Sequence, residues 1–410
     1  MLRHLYPEPG LTRQLFWQSI LSAAAVGSFL TGSAVFFTQI VGLSAQQVGL
    51  GMSVGGLVSF LTSLPTGRAA DRIGWKRSWV LGAFFEAGLF LCWPLLRGFW
   101  MFVAMEVVFA LSEGVWRSGL NAYRLSVFPP GDRVRSLAFV RSARNIGYTV
   151  GALLGGLALA TGADTVVMLV PVATGCLLVV NGAMVRALPE VEQPPRQLDS
   201  DLKKVGLVRS NPGFAVLGLS NGIMQTNQIL LNVIVPLWLV QETDAPRVLL
   251  AWLFGTNTVL AVLLQVPFAR GSETVPGSLR SFRLSACSFV VSSVLIALTA
   301  DTLSWLTIAL IWLGHVTITG AELWSSAGSW GFTAELSDPA RRGEYQGVWN
   351  LGMSFVSIVA PALYTWLAME HGWIGWGVIA SLGVLAAVVA HPAARSAERH
   401  LSASMVAQPA

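Results

Sequence analysis

Apolar residues fall in long runs along this chain, and polar residues collect between the runs. The runs recur at roughly 20 residues, about the length that ~30 Å of hydrocarbon requires at 1.5 Å per residue. They predict twelve helices, at 14–41, 48–66, 78–96, 99–124, 136–162 and 165–187, then at 212–240, 248–269, 281–299, 302–334, 344–368 and 374–392. The run 302–334 is longer than one straight span needs, and its Gly314, Gly320, Gly328 and Gly331 predict a bend or an extension past the bilayer. The longest polar stretch separates two sets of six runs. It predicts a six-helix bundle over 1–187, a linker over 188–211, a second bundle over 212–394 and a tail over 395–410.

Composition supports a bilayer as the solvent. With 54% hydrophobic and 11% charged residues, a soluble chain would have more apolar surface than polar residues could cover. The cations then orient the spans. Of 26 Lys and Arg, 23 fall on one alternating set of loops, including Arg124, Arg133, Arg135, Arg141 and Arg144 around the fourth loop, and only Arg97, Arg117 and Arg247 lie elsewhere. The positive-inside rule places those loops and both termini in the cytoplasm, for a multi-pass protein of the cytoplasmic (inner) membrane. The net charge of +5 therefore reports orientation and contact with anionic lipid rather than nucleic-acid binding. The first run is as long as a full span and has no convincing cleavage site after it, so it reads as an uncleaved helix. Cys92, Cys176 and Cys287 fall inside spans, where they are expected to pack as small apolar residues rather than form disulfides or metal sites. No span offers a nucleophile–His–acid set, a metal-ligand cluster or a nucleotide loop, so neither an enzyme nor a cofactor or metal is expected. The expected partners are the bilayer, a small molecule and protons, and the expected state is a monomer.

An internal echo connects the halves at a constant offset of 209: Glu113 with Glu322, Pro130 with Pro339, and Arg133 with Arg342. After the second run comes PTGRAADRIGWKR, with Gly67, Arg68, Asp71, Arg72, Gly74, Lys76 and Arg77 in a short turn. This segment resembles the signature of the major facilitator superfamily, a Gly followed four residues on by an Asp-Arg pair and then by Gly and basic residues. The resemblance implies an all-α membrane fold of two six-helix bundles and secondary transport. It also gives Asp71 the role of holding the bundles together at the cytoplasmic side, which suits an anion near backbone N–H groups. The loop after span eight keeps Pro267 and Arg270 but lacks the Asp-Arg pair, so that role is asymmetric.

In span five, Gly147, Gly151, Gly155 and Gly156 lie along one helix, and steps of four bring them to one face for close helix approach. The antiporter branch of the superfamily carries a similar glycine motif with a Gly-Pro step, where this chain has Ala152. The resemblance favours export, and a plain packing face is the alternative reading.

Charges inside spans are costly and must face protein or water. In span four, Glu113 and Arg117 stand four apart and can pair, and Glu106 lies two turns back on nearly the same stripe. The pair is either a proton or substrate switch or a buried ion pair that fixes register. In span ten, GAELWSSAGSWGFTAELSDPARRGEYQG resembles a segment of bacterial drug-exporter-like members. Glu322 is its intramembrane acid, while Glu335, Arg341, Arg342 and Glu344 are expected to form a cytoplasmic charge cluster. A carboxyl in such a place can load and release a proton as water leaves and enters. Arg117 gives Glu113 a counter-charge one turn away, whereas Glu322 has no cation within one turn of its helix, so the coupling proton is assigned to Glu322. Glu86 and His315 stay outside this core set.

Span seven carries Asn221, Gln225, Gln228 and Asn232 in an i, i+4, i+7, i+11 pattern, read as a wet neutral wall or as interhelical hydrogen-bond glue. In the superfamily, spans one, four, seven and ten surround a central cavity, and Trp116, Tyr123, Trp238 and Trp324 are expected to line it. The combined expectation is proton-coupled efflux of small amphipathic organic molecules or drugs. A metabolite importer of the same fold is the alternative, and a receptor or enzyme is the different class.

Overall fold

The computed structural model describes residues 6–193 and 207–406, so the middle of the linker, with Arg196, Lys203 and Lys204, lies outside the described residues. The described residues contain helices and no strand. The first half holds α1 (Leu11–Val35), α2 (Ala45–Ile73), α3 (Trp75–Cys92), α4 (Gly98–Val127), α5 (Arg133–Ala160) and α6 (Asp164–Arg186). The second holds α7 (Pro212–Met224), α8 (Leu249–Ala269), α9 (Val275–Ala297), α10 (Ser304–Glu335) and α11 (Arg342–Val406). Ten helical stretches among the described residues are long and apolar enough to cross a membrane. The last is divided by Gly372, whose φ of +48° breaks the helical path and separates spans eleven and twelve. Span five is absent from the ten because α5 carries Arg133, Arg135, Arg141 and Arg144. The twelve predicted spans are thus present, and residues 395–406, expected as a tail, continue α11 as helix.

Local chemistry sets the boundaries. Ser44 opens α2 with a capping box, accepting from the Gln47 N–H while Gln47 accepts from the Ser44 N–H. Asn211 caps α7 through the Phe214 N–H, with Pro212 in the first turn. Gly74 ends α2 and opens α3 at φ +106°, a left-handed value that favours glycine. The signature segment is therefore the end of one helix and the start of the next, joined by a single residue, rather than a loop. Spans one and seven each contain a π turn, at Phe36–Ile40 and Leu230–Ile234.

The chain forms two compact units. One comprises residues 1–129, 139–196 and 339–347, and the other 130–138, 197–338 and 348–410. Each takes in a nine-residue stretch from the opposite half, and these two stretches are related by the same offset of 209 seen in the sequence. Each stretch begins with a 3-10 turn, Pro130–Asp132 or Pro339–Arg341, followed by the first turns of α5 or α11.

Within the first unit, α1 and α5 meet along glycines: a Cβ on Gly147, Gly151 or Gly155 would lie 2.4 to 2.5 Å from the carbonyl oxygens of Ile20, Ala24 and Ser28. Gly156, expected on the same face, meets nothing within 4 Å, because the residue after Gly155 is turned by 100°. In the second unit α7 and the start of α11 approach similarly, with Gly222 against the Gly352 carbonyl and Gly352 against that of Gly218. α10 runs unbroken for 32 residues, about 48 Å, so it extends past the hydrocarbon and is not broken at its glycines. Gly314, Gly328 and Gly331 instead let α9 and the turn before it come close, at Ile296, Phe282 and Ser272.

Large apolar side chains cover the outer helix faces, and Trp100, Trp252, Trp305 and Trp373, each 69 to 79% exposed, stand at the ends of spans next to loops poor in cations. That is where an interfacial aromatic belt belongs. Cys92, Cys176 and Cys287 are free and exposed on helix faces.

Candidate functional site

The first unit encloses a cavity of about 170 Å³ whose lining includes Gln18, Ser19, Glu86, Glu113, Trp116, Arg117, Asn121, Arg124, Arg144 and Asn181. Five charged residues share this small volume. Arg117 Nη1 donates to Glu113 Oε1 at 2.8 Å, and Glu86, buried on α3, completes the acid set. Arg124 is 7% exposed, its Nη2 donates to Ser19 Oγ at 3.2 Å, and its guanidinium stands 5.7 Å from the Trp79 ring. Arg144 stands 5.8 Å from the Tyr148 ring. The wall continues through Ser19 Oγ to Gln18 Oε1 at 3.3 Å and from Gln18 Nε2 to Asn181 Oδ1 at 2.7 Å. Helix packing explains the position of Trp116: Gly82 on α3 leaves its place free, since a Cβ there would fall 2.1 Å from the Trp116 Cβ.

This arrangement revises the sequence expectation in four places. Glu86 belongs beside Glu113. Glu106 is not among the lining residues and packs against Gly55 of α2, where an added Cβ would meet its carboxyl at 3.2 Å. Tyr123 is a core residue, donating to the Pro189 carbonyl at 2.9 Å and packing on Trp79. Arg124 and Arg144, counted as loop cations, lie inside α4 and α5. The signal for Arg124 was present, because Glu113, Arg117 and Arg124 at i, i+4 and i+11 share one face of α4. Gln18 and Asn181 had no such signal, being single amides on different helices.

In the second unit a single span carboxyl stands beside amides and hydroxyls. Glu322, 4% exposed, accepts from Asn257 Nδ2 of α8 at 3.1 Å, and the same amide donates to Thr319 Oγ1 at 3.1 Å. His315 lies buried two turns earlier on α10. Trp324 stacks on Phe268 at 4.5 Å, and Trp238 is a core residue donating to Thr299 Oγ1 at 2.9 Å.

The amides of span seven do not form one wall. The helix is interrupted after Met224 and contains the π turn, so the four amides lose a common face. Asn221 is fully buried and neither atom of its amide has a partner among the described residues. Gln225 and Gln228 are half-buried, and Asn232 is exposed and donates back to the Gln228 carbonyl at 2.8 Å. The buried amide that does bridge helices is Asn227, which donates to Ser325 Oγ at 3.0 Å.

The signature residues meet the start of α11, within the first unit. Asp71 Oδ1 accepts from the Gly343 N–H at 2.7 Å and from Trp75 Nε1 at 2.7 Å, while Oδ2 accepts from the Glu344 N–H at 2.9 Å. A carboxylate at a helix N-terminus satisfies orphan donors and opposes the positive end of the dipole. Gly67 permits the approach, since a Cβ there would lie 2.4 Å from the Gly343 carbonyl. Glu344 holds Arg68 at 3.0 Å and Arg341 at 2.8 Å, Arg342 donates to Ser126, and Lys76 pairs with Glu190 at 2.8 Å. Arg72 and Arg77 are exposed.

Known proteins place this architecture. The chain is 23% identical over 379 residues to Multidrug resistance protein MdtH of Enterobacter sp. (strain 638), covering 86% of each. It is 23% identical over 370 residues to the MdtH of Proteus mirabilis (strain HI4320), covering 87% of this chain and 88% of that one. Among solved structures it is similar to a bacterial homologue of the iron transporter ferroportin in an outward-facing state, with TM-score 0.71, 14% identity and coverage of 93% and 98%. It is also similar to the proton:xylose symporter XylE, with TM-score 0.66, 15% identity and coverage of 92% and 94%. The profile of the Major Facilitator Superfamily matches residues 15–327, and with the paired six-helix halves this makes the chain a multi-pass membrane transporter belonging to that superfamily.

Proposed function

We propose that the chain is a proton-driven antiporter of the cytoplasmic membrane, with both termini in the cytoplasm, that expels small amphipathic organic molecules by alternating access as a monomer. The observation that carries this reading is Glu322, a carboxyl 4% exposed inside a span, held by the neutral Asn257 amide at 3.1 Å. An ionised carboxylate in a dry span costs several kcal/mol, so a group kept there earns its place by exchanging a proton as water comes and goes. Similarity to multidrug resistance proteins over most of both chains supports organic substrates and outward transport. Trp79, Phe109 and Trp116 beside the polar groups of the cavity suit a ligand with an apolar ring and a polar head.

The test uses inside-out vesicles energised by a proton gradient, with naphthalene sulfonate and naphthyl trimethylammonium as permanently charged probes. Gradient-dependent uptake of at least one probe is expected, collapsing with a protonophore. Glu322→Gln should lose this uptake but retain probe exchange at equal concentrations. Uptake that survives the protonophore, or movement only in the opposite direction, overturns the reading.

A further inference from the structure

The cavity of the first unit contains more positive charge than its own carboxylates balance. Three arginines, Arg117, Arg124 and Arg144, line it with two glutamates, Glu86 and Glu113. Arg117 is the partner of Glu113 at 2.8 Å. Neither Arg124 nor Arg144 forms a salt bridge among the described residues, and both line the same cavity. A buried guanidinium has five donors to satisfy. That of Arg124 spends one on Ser19 and rests against Trp79, yet its Nε, fully buried, has no hydrogen-bond partner.

We propose that this cavity binds the anionic head of an organic substrate, a carboxylate or sulfonate, between Arg124 and Arg144, with the attached ring against Trp79 and Trp116. The inference rests on the exporter reading for its transport consequence and deepens it by naming the substrate class. Guanidinium and carboxylate or sulfonate match in geometry, since two parallel N–H groups meet two oxygens of one anion. Asn121, on the turn of α4 before Arg124, adds an amide donor to the same lining. The volume of about 170 Å³ lies below the ~300 to 1,000 Å³ of sites that enclose whole drug-sized ligands, so it takes a head group and a ring rather than an extended molecule. The anion supplies the charge that Arg124 and Arg144 lack. Glu113 does not supply it, being three turns away from Arg124 along α4 and engaged by Arg117.

Binding to the purified full chain in lipid nanodiscs tests the proposal with three matched probes: naphthalene sulfonate, naphthyl methanol and naphthyl trimethylammonium. The sulfonate should bind at least about tenfold more tightly than the cation. Arg124→Gln and Arg144→Gln should each weaken sulfonate binding about tenfold or more, while leaving naphthyl methanol within about twofold, and Arg124→Lys should restore part of the loss. Because Arg124 is buried, each variant is first checked for monodisperse elution and unchanged thermal unfolding, and the more accessible Arg144→Gln reports independently if Arg124→Gln misfolds. Equal binding of the three probes, no sulfonate binding by the wild type, or an equal loss for all probes in both variants overturns the anion site. If the wild type exports the trimethylammonium probe but does not bind sulfonate, the exporter reading stands and the anion site falls. If it binds sulfonate as expected but vesicles move neither probe, the anion site stands and the exporter reading falls.

Discussion

The two units use the same helix pairings for different chemistry. In the first, α1 and α5 close on Gly147, Gly151 and Gly155; in the second, α7 and α11 close on Gly218, Gly222 and Gly352. The polar interiors have diverged from that shared frame. The first unit gathers Glu86, Glu113, Arg117, Arg124 and Arg144 around a cavity, while the second buries Glu322 against Asn257 and leaves Asn221 and Asn227 as neutral amides. Close helix approach is made in each unit by glycines at different positions, since Gly147, Gly151 and Gly155 correspond at the offset of 209 to Val356, Ala360 and Tyr364. Interior polar groups answer to what they bind, so the two halves are free to divide the labour. On the proposed division the first unit would recognise the ligand's charge and the second would carry the proton.

The largest effect should come from exchanging the two acids. Glu322→Gln is expected to reduce gradient-driven efflux about 100-fold, a scale set by losing a positioned proton carrier, whereas Glu113→Gln should mainly alter probe affinity by releasing Arg117. Vesicle uptake at saturating probe reads both, and the opposite outcome would move the proton to the first unit. Next in size, Asp71→Asn replaces a carboxylate that accepts from Trp75 and from the Gly343 and Glu344 N–H groups with a group offering one oxygen, and transport should slow about tenfold while expression stays normal. Wild-type turnover would show that this cap does not matter to the cycle.

A smaller effect probes the shared frame. Gly151→Ala places a methyl 2.4 Å from the Ala24 carbonyl and should cost about 1–3 kcal/mol, read as a lower unfolding temperature in detergent, while Gly156→Ala, with open space around it, should be near neutral. Equal effects would mean the helix-five motif acts as a whole and not through one face. The smallest effect is a labelling difference in span seven. Asn232→Cys should react readily with a polar maleimide and Asn221→Cys slowly, because the first side chain is exposed and the second fully buried. Matching rates would return the four amides to one wall.

Much of this molecule was legible from one dimension. Span length and the 209-residue echo depend on local composition and order, and the bilayer turns apolar length directly into helix. The signature around Asp71 was legible for the same reason: its spacing places a carboxylate at a helix end, although its partners Gly343 and Glu344 lie more than 270 residues away and only the fold brings them there. The candidate site was read less well. Arg124 and Arg144 look like loop cations when charge is counted along the chain, and Glu86 looks peripheral on its own helix; all three become cavity residues only when α3, α4 and α5 pack. The amide pattern of span seven failed for a related reason, since its spacing assumes an uninterrupted helix and the break after Met224 with the π turn at Leu230–Ile234 destroys the common face. The sequence by itself determined which segments are helices, how many cross the bilayer and where the chain duplicates, because burial of apolar length decides those. Which polar side chains share one cavity was decided by tertiary structure alone, because that depends on the rotation and approach of helices whose contacts are far apart in sequence.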